Sequence, residues 1–140
     1  MKNIPQIIDA HFGDGYSSVY FEDGELKKEY RFFFQEGIDA FIIYSRSPKI
    51  VLNFILTLTP NQGHGVKLLD SFKEEMKEGF LIPVWDYYGS KSLVNWILKN
   101  GGVEVKVIKN YWTEDSIKKR YQCKICGNPC VCSMRLFEVF

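Results

Sequence analysis

No apolar run in the 140 residues approaches the roughly 20 that a membrane-spanning helix needs, so no span is predicted. The opening MKNIPQIIDAHF lacks both a long apolar core and a small-residue cleavage site, which predicts a chain with no signal or transit peptide, resident in the cytoplasm. Charge of one sign is also lacking. Eighteen Lys and Arg against 17 Asp and Glu leave a formal net charge of +1, too little to drive the whole molecule onto nucleic acid. The sequence shows no internal repeat, linker or low-complexity segment. Cysteine is missing everywhere except residues 123–132.

What is present describes a globular chain. With 46% apolar and 25% charged residues, disorder is excluded, and the length suits one domain over residues 1–140 with a real core. Tyr and Phe are spread through the predicted strands, as in aromatic-rich sheet faces, rather than gathered into a platform. Only the last third is uneven: Lys106, Lys109, Lys118, Lys119, Arg120, Lys124 and Arg135 outnumber Glu104, Glu114, Asp115 and Glu138.

Residues 18–22 and 28–34 read as strands around an Asp23-Gly24 turn, and residues 38–44 and 49–59 as two more, the last too uniformly apolar for an exposed strand. The first half is thus predicted to be an antiparallel meander. The period then changes. Val66, Leu68, Leu69, Phe72 and Met76 recur at helical spacing until Glu78-Gly79, a stop signal. A short buried strand over residues 80–85 precedes a second helix from residue 90 or 92 to 99, with Leu93, Trp96 and Ile97 on one face. Residues 103–112 and 133–140 alternate as strands. Strands followed by an alternation of helices and strands give an α+β, mixed α/β class.

Between the fourth strand and the first predicted helix stands Pro60-Asn61-Gln62-Gly63-His64-Gly65. A strand that enters a glycine-rich turn and opens a helix aims several backbone N–H groups and the positive end of the helix dipole at one point, where an anionic phosphate fits. Glycine permits the close approach. The same pattern also serves as a plain turn, and the residues alone leave both readings open.

The run from Ile50 to Trp112 resembles the GNAT family of acyl-CoA-dependent N-acyltransferases. The resemblance rests on Leu58-Thr59-Pro60 ending a strand, Gln62-Gly63-His64-Gly65-Val66-Lys67 as the loop, the pair Leu68-Leu69, and Glu78-Gly79-Phe80 before the next strand, with residues 90–103 similar to the family's second motif. It implies a GNAT-like, mainly antiparallel mixed sheet with flanking helices, in which two parallel strands splay. It also implies acetyl-CoA or another acyl-CoA as co-substrate and an amine as acceptor. The pantetheine arm would bond the backbone near Leu56 to Leu58, the pyrophosphate would meet the N–H groups of Gly63, His64, Gly65 and Val66 with Gln62 beside them, and the thioester would lie between Leu56 to Leu58 and Val84 to Asp86.

Departures from the pattern mark what is specific to this chain. Lys67 stands where the family has Gly or Ala; it either lends charge to a CoA phosphate or blocks close approach by its bulk. Ile97 and Leu98 occupy the place of the family's helix Tyr, so Tyr87 and Tyr88 are the nearest candidates to protonate the departing thiolate. The strand over residues 50–59 has no acidic residue, leaving Asp86 as the candidate base, with an N-cap for the next turn as its other reading. His64 is either a group titrating near neutrality or a surface residue, and Asp9 and His11 are too isolated for a role. Before Ile50 strands are predicted where the family places two helices.

The tail reads Cys123-Lys-Ile-Cys126-Gly-Asn-Pro-Cys130-Val-Cys132. Cys-x2-Cys-Gly has the shape of a zinc knuckle, in which N–H groups face the first thiolates and glycine allows the tight turn. The second pair, Cys-x-Cys, is tighter than usual. With residues 127–129 as a hairpin tip, Cys126 falls opposite Cys130 and Cys123 one residue out of register with Cys132. A four-thiolate zinc hairpin over residues 121–133 is the expectation. Reduced thiols without metal and a disulfide or redox role are the alternatives. Flanked by Lys118, Lys119, Arg120, Lys124 and Arg135, the hairpin either touches nucleic acid or a protein partner, in a chain that has kept the fold without catalysis, or is a structural staple.

Overall fold

The computed structural model describes residues 3–59, 62–87 and 90–140. Helix α1 (Ile4–Phe12) and a single 3-10 turn (Tyr16–Val19) come first, followed by strands β1 (Phe21–Glu22), β2 (Glu25–Leu26), β3 (Arg31–Phe33), β4 (Ala40–Ser45) and β5 (Val51–Thr57). Helix α2 (His64–Glu75), strand β6 (Phe80–Trp85), helix α3 (Lys91–Lys99), strand β7 (Val103–Ile108), helix α4 (Thr113–Lys118) and strand β8 (Met134–Val139) complete the chain. No helix among the described residues is long and apolar enough to cross a membrane.

Six strands form one sheet in the order β3-β4-β5-β6-β8-β7, with β1 and β2 a separate two-stranded ribbon. Every neighbouring pair is antiparallel except β5 and β6, which run parallel. The last strand enters between β6 and β7, so the loop carrying the cysteines emerges beside the end of β6. There Trp85 pairs with Met134, and Asp86 donates its N–H to the Ser133 carbonyl at 3.0 Å.

The meander expected over the first half is corrected at its start. Ile4, Ile7, Ile8 and Phe12 recur at helical spacing, Pro5 sits in the first turn, and Gly13 ends the helix at φ 134°. Of residues 18–22, Ser18 and Val19 belong to the 3-10 turn, where Ser18 Oγ donates to the Gly15 carbonyl, and the strand is reduced to Phe21–Glu22. The Asp23-Gly24 turn is present, with φ of 53° and 81°, but closes only the small ribbon. The strand expected over residues 103–112 stops at Ile108 and gives way to α4.

Two hydrophobic clusters cover the two sheet faces. On one, Leu68, Leu69, Phe72 and Met76 of α2 and Trp96 and Ile97 of α3 pack on Ile42, Leu52, Ile82 and Phe137. On the other, Ile8 of α1 and Tyr20 pack on Phe41, Ile43, Phe54 and Leu56. The uniform apolarity of residues 50–56 has a specific cause. Pairing of Ile43 with Phe54 and Tyr44 with Leu52 leaves Asn53 as a bulge, so Ile50 and Leu52 serve the first face while Phe54 and Leu56 serve the second.

Candidate functional site

Strands β5 and β6 are joined at the Val51–Leu81 register, where Leu81 donates its N–H to the Ile50 carbonyl at 2.9 Å. Beyond this point they part, and a cavity of about 200 Å³ opens between Leu52 to Ile55 on one side and Ile82 to Trp85 on the other. Phe12, Tyr16, Trp112, Tyr121, Cys123 and Cys130 close one end, and Ser90 and Leu93 the other. No charged side chain lines it among the described residues.

The bulge at Asn53 decides which backbone groups face the gap. Leu58 donates its N–H to the Asp39 carbonyl at 2.9 Å, and hydrogen-bonded pairs alternate along an antiparallel ladder, so Leu58, Leu56 and Phe54 turn their backbone groups toward β4. Ile55 and Thr57 turn theirs toward β6. The residues expected to hold an arm, Leu56 and Leu58, thus spend their backbone on the sheet, and the free edge belongs to their neighbours.

At the open end of β5, Gly63 takes φ 74° as the N-cap of α2, a conformation that favours glycine. Among the described residues no side chain caps the helix. The N–H groups of its first turn therefore lack intrahelical acceptors by geometry. A Cβ on Gly65 would meet Thr57 Oγ1 at 2.9 Å, so glycine there lets the helix start close against β5. Gln62, Val66 and Lys67 are exposed around this end. His64 is oriented: its Nδ1 accepts the Asp39 backbone N–H at 3.0 Å, which leaves the proton of the neutral ring on Nε2.

Asp86 and Tyr87 follow β6 directly. Asp86 is exposed and lines an adjoining recess with Lys91, Asn95 and Arg135; it does not line the main cavity. Ser90 is the N-cap of α3, and the groups that Asp86 would cap in the turn before it belong to residues 88 and 89, outside the described residues. Tyr87 borders both spaces and stacks on Trp85 at 4.2 Å between centroids. Tyr88 lies outside the described residues. In the recess, Arg135 is engaged by Glu104 at 2.7 Å, which holds that carboxyl below its usual range. Asp9 and His11 are local fasteners, Asp9 accepting the Ser17 N–H at 2.8 Å and His11 Nδ1 lying 3.0 Å from the Ile7 carbonyl.

The four cysteines converge. All four sulfurs lie within 4.8 Å of one another, with Cys123–Cys132 at 3.8 Å, Cys126–Cys130 at 3.6 Å and Cys126–Cys132 at 3.2 Å, and each thiol is free. A tetrahedron with metal–sulfur bonds of about 2.3 Å has edges of about 3.8 Å, so the cluster can hold a metal ion. The turn differs from the expected register: Cys123 bridges Gly127 through bonds of 3.0 and 2.8 Å, placing the tip at residues 124–126. Cys126 and Cys130, and Cys123 and Cys132, come near one another across the loop, but the shortest contact joins Cys126 and Cys132, which the expected register does not place opposite.

N–H groups surround the sulfurs. Burial raises the Cys126 thiol, but the Val131 N–H at 3.2 Å and the neighbouring sulfurs outweigh it and hold it below its ordinary value. Burial pushes Cys130 well up and Cys132 to about 11, the nearby side chain of Trp85 acting on Cys132 in the opposite direction. Such donors favour thiolates, the form a metal takes.

Sequence reasoning missed α4, which secures the loop. Ser116 is fully buried; its Oγ donates to the Thr113 carbonyl at 2.7 Å and accepts the Cys130 N–H at 2.9 Å. Asn128 donates to the Ser116 and Tyr121 carbonyls at 2.8 and 3.0 Å. Opposite, Gln122 and Lys124 donate their N–H groups to the Asp14 and Phe12 carbonyls at 2.8 and 3.0 Å. Three of the five cations flanking the hairpin are engaged: Lys118 pairs with Glu114 at 2.7 Å, Arg135 with Glu104, and Lys124 Nζ donates to the Ala10 carbonyl.

No protein-family model matches the chain, and no curated protein matches it by sequence. Solved structures do. The ribosomal-protein-S18-alanine N-acetyltransferase from Escherichia coli is similar with a TM-score of 0.58 and 18% identity over 81% of this chain and 70% of that one. A Bacillus subtilis acetyltransferase solved in complex with CoA is similar with a TM-score of 0.59 and 13% identity over 91% of this chain and 85% of that one. The chain has the α+β fold of the GNAT acetyltransferases, with a mainly antiparallel six-stranded sheet.

Proposed function

We propose that the protein is an acyl-CoA-dependent N-acyltransferase, moving an acyl group, most simply acetyl from acetyl-CoA, to a primary amine. One observation carries this reading: β5 and β6 part into a cavity whose lining reaches Ile55, and two residues further along β5, at Thr57, the glycine-led start of α2 lies against the strand. The CoA in the similar Bacillus subtilis structure supports it. The pantetheine amides would bond the Ile55 and Thr57 backbone. The pyrophosphate would sit on the N–H groups of Gly63, His64, Gly65 and Val66, where a helix N-terminus favours negative charge, with Gln62 and the Lys67 ammonium in reach of the phosphates.

The uncharged, mainly apolar lining of the cavity fits a neutral thioester. The amine nitrogen attacks the thioester carbonyl, the C–S bond breaks, and the departing thiolate takes the proton of the Tyr87 hydroxyl. Asp86, in the adjoining recess, takes the proton the nitrogen releases. The four cysteines would hold zinc with no open coordination position, so zinc would stabilise the loop and take no part in acyl transfer.

Calorimetric titration of the zinc-loaded protein with acetyl-CoA and with free CoA tests the reading. Saturable binding in the micromolar range is expected. No heat and no thermal stabilisation at millimolar ligand would overturn it.

A further inference from the structure

We propose that the metal site is the far wall of the cavity, so that metal occupancy decides whether the cavity is closed, and metal and cavity ligand stabilise one another. The inference rests on the cysteine cluster being a metal site; it relies on the acyl-CoA reading only for the choice of ligand probe.

Two of the four thiol residues, Cys123 and Cys130, line the cavity themselves, with Tyr121 and Trp112 beside them. This wall belongs to neither hydrophobic cluster of the sheet faces. Residues 119–133 also fall outside helices and strands, with one bridge, Cys123 to Gly127, among the described residues. Their geometry is therefore set by a few hydrogen bonds from α4 and α1 and by the sulfurs. Four sulfurs gathered within 4.8 Å bring no net attraction of their own: as thiols they are weak donors and acceptors, and as thiolates they repel. A divalent ion converts that cluster into the strongest tie in the wall.

Trp85 links the two sites. It is the last residue of β6, its ring lines the cavity and packs tilted against Phe12 at 5.9 Å between centroids, and it pairs with Met134, two residues after Cys132. A ligand that orders Trp85 thus also orders the strand pairing that leads straight into the cysteine loop. Reciprocity follows: the factor by which metal raises ligand affinity equals the factor by which ligand raises metal affinity.

The test compares the whole chain loaded with one equivalent of zinc and the same chain stripped by a chelator under reducing conditions. Two of its three tryptophans, Trp85 and Trp112, line the cavity, while Trp96 is buried and bonded to Asp70 at 2.9 Å. Removing zinc should leave the far-UV dichroism near its loaded value and raise acrylamide quenching of tryptophan fluorescence, with re-added zinc reversing the change. Free CoA and acetyl-CoA should bind the stripped form at least tenfold more weakly and should slow zinc loss to a chelator in the loaded form. Unchanged quenching, or loss of the whole far-UV signal, would overturn the proposal, as would a chain that retains no zinc.

If neither probe binds either form, the acyl-CoA reading fails and quenching alone decides the wall. If the probes bind both forms equally, the linkage fails while the acyl-CoA reading stands. Trp85→Phe keeps a ring in the cavity and removes the indole that acts on Cys132. It should weaken zinc several-fold by competition with a chromophoric chelator, with the dichroism unchanged; equal zinc affinity would sever the link assigned to Trp85.

Discussion

Leu81 bonds to Ile50, and past that bond the two parallel strands separate. The cavity follows from that parting, and the Asn53 bulge turns the Ile55 and Thr57 edge toward it.

Gly65→Val should weaken acetyl-CoA binding more than tenfold while the protein stays folded. The new Cβ falls 2.9 Å from Thr57 Oγ1 and its methyl groups crowd the first-turn N–H groups. Gly65→Ala in a Thr57→Ala background relieves the contact with the strand, so binding there should recover toward wild type. Calorimetry of the three proteins checks this, and wild-type affinity for Gly65→Val would remove the loop from the cofactor site.

Ser116→Ala should cost about 1–3 kcal/mol, because it strands the Cys130 N–H in a buried position. The loss should appear as faster hydrogen exchange at Cys130 and Val131 and as weaker zinc retention. Slow exchange at both positions in the variant would show that the loop has another support.

Phe72→Ala should destabilise by about 3–5 kcal/mol. Its ring is fully buried and meets Phe33, Tyr44 and Phe80 edge-on at 5.2, 5.3 and 4.9 Å. Urea unfolding would measure it, and a cost under 1 kcal/mol would mean the helix layer repacks.

Stability should fall at alkaline pH. Burial pushes the Tyr16 hydroxyl up to about 12, with the Tyr20 hydrogen bond pulling the other way, and Tyr20 is raised as well. A phenol with a raised folded pKa contributes its full stability below the unfolded value of about 10, and that contribution is lost as pH rises through the folded one. The unfolding free energy should therefore decline between about pH 10 and 12, and Tyr16→Phe should flatten that decline. An equally steep decline in the variant would assign it elsewhere.

Much of this was legible along the chain. The helical spacing of Leu68, Leu69, Phe72 and Met76, the strand at residues 80–85 and the glycine turn opening α2 all follow from periodicity and turn chemistry, which act over a few neighbours. Helix α1 was legible too in Ile4, Ile7, Ile8 and Phe12, but a short apolar segment does not reveal its period unless a layer is there to bury one face. Helix α4 carried almost no apolar signal, since its buried residue is a serine.

What the sequence by itself determined is the class of the fold, the existence of a glycine-led helix start and the clustering of cysteine in one loop, because composition, period and spacing are local properties. Tertiary structure alone decided the rest. The Asn53 bulge hands the free backbone edge to Ile55 and Thr57, the insertion of β8 between β6 and β7 carries the cysteines to Trp85, and Asp39 orients His64. Each depends on pairing between segments far apart in the chain, which is chosen by which faces can be buried together and which backbone groups must find partners.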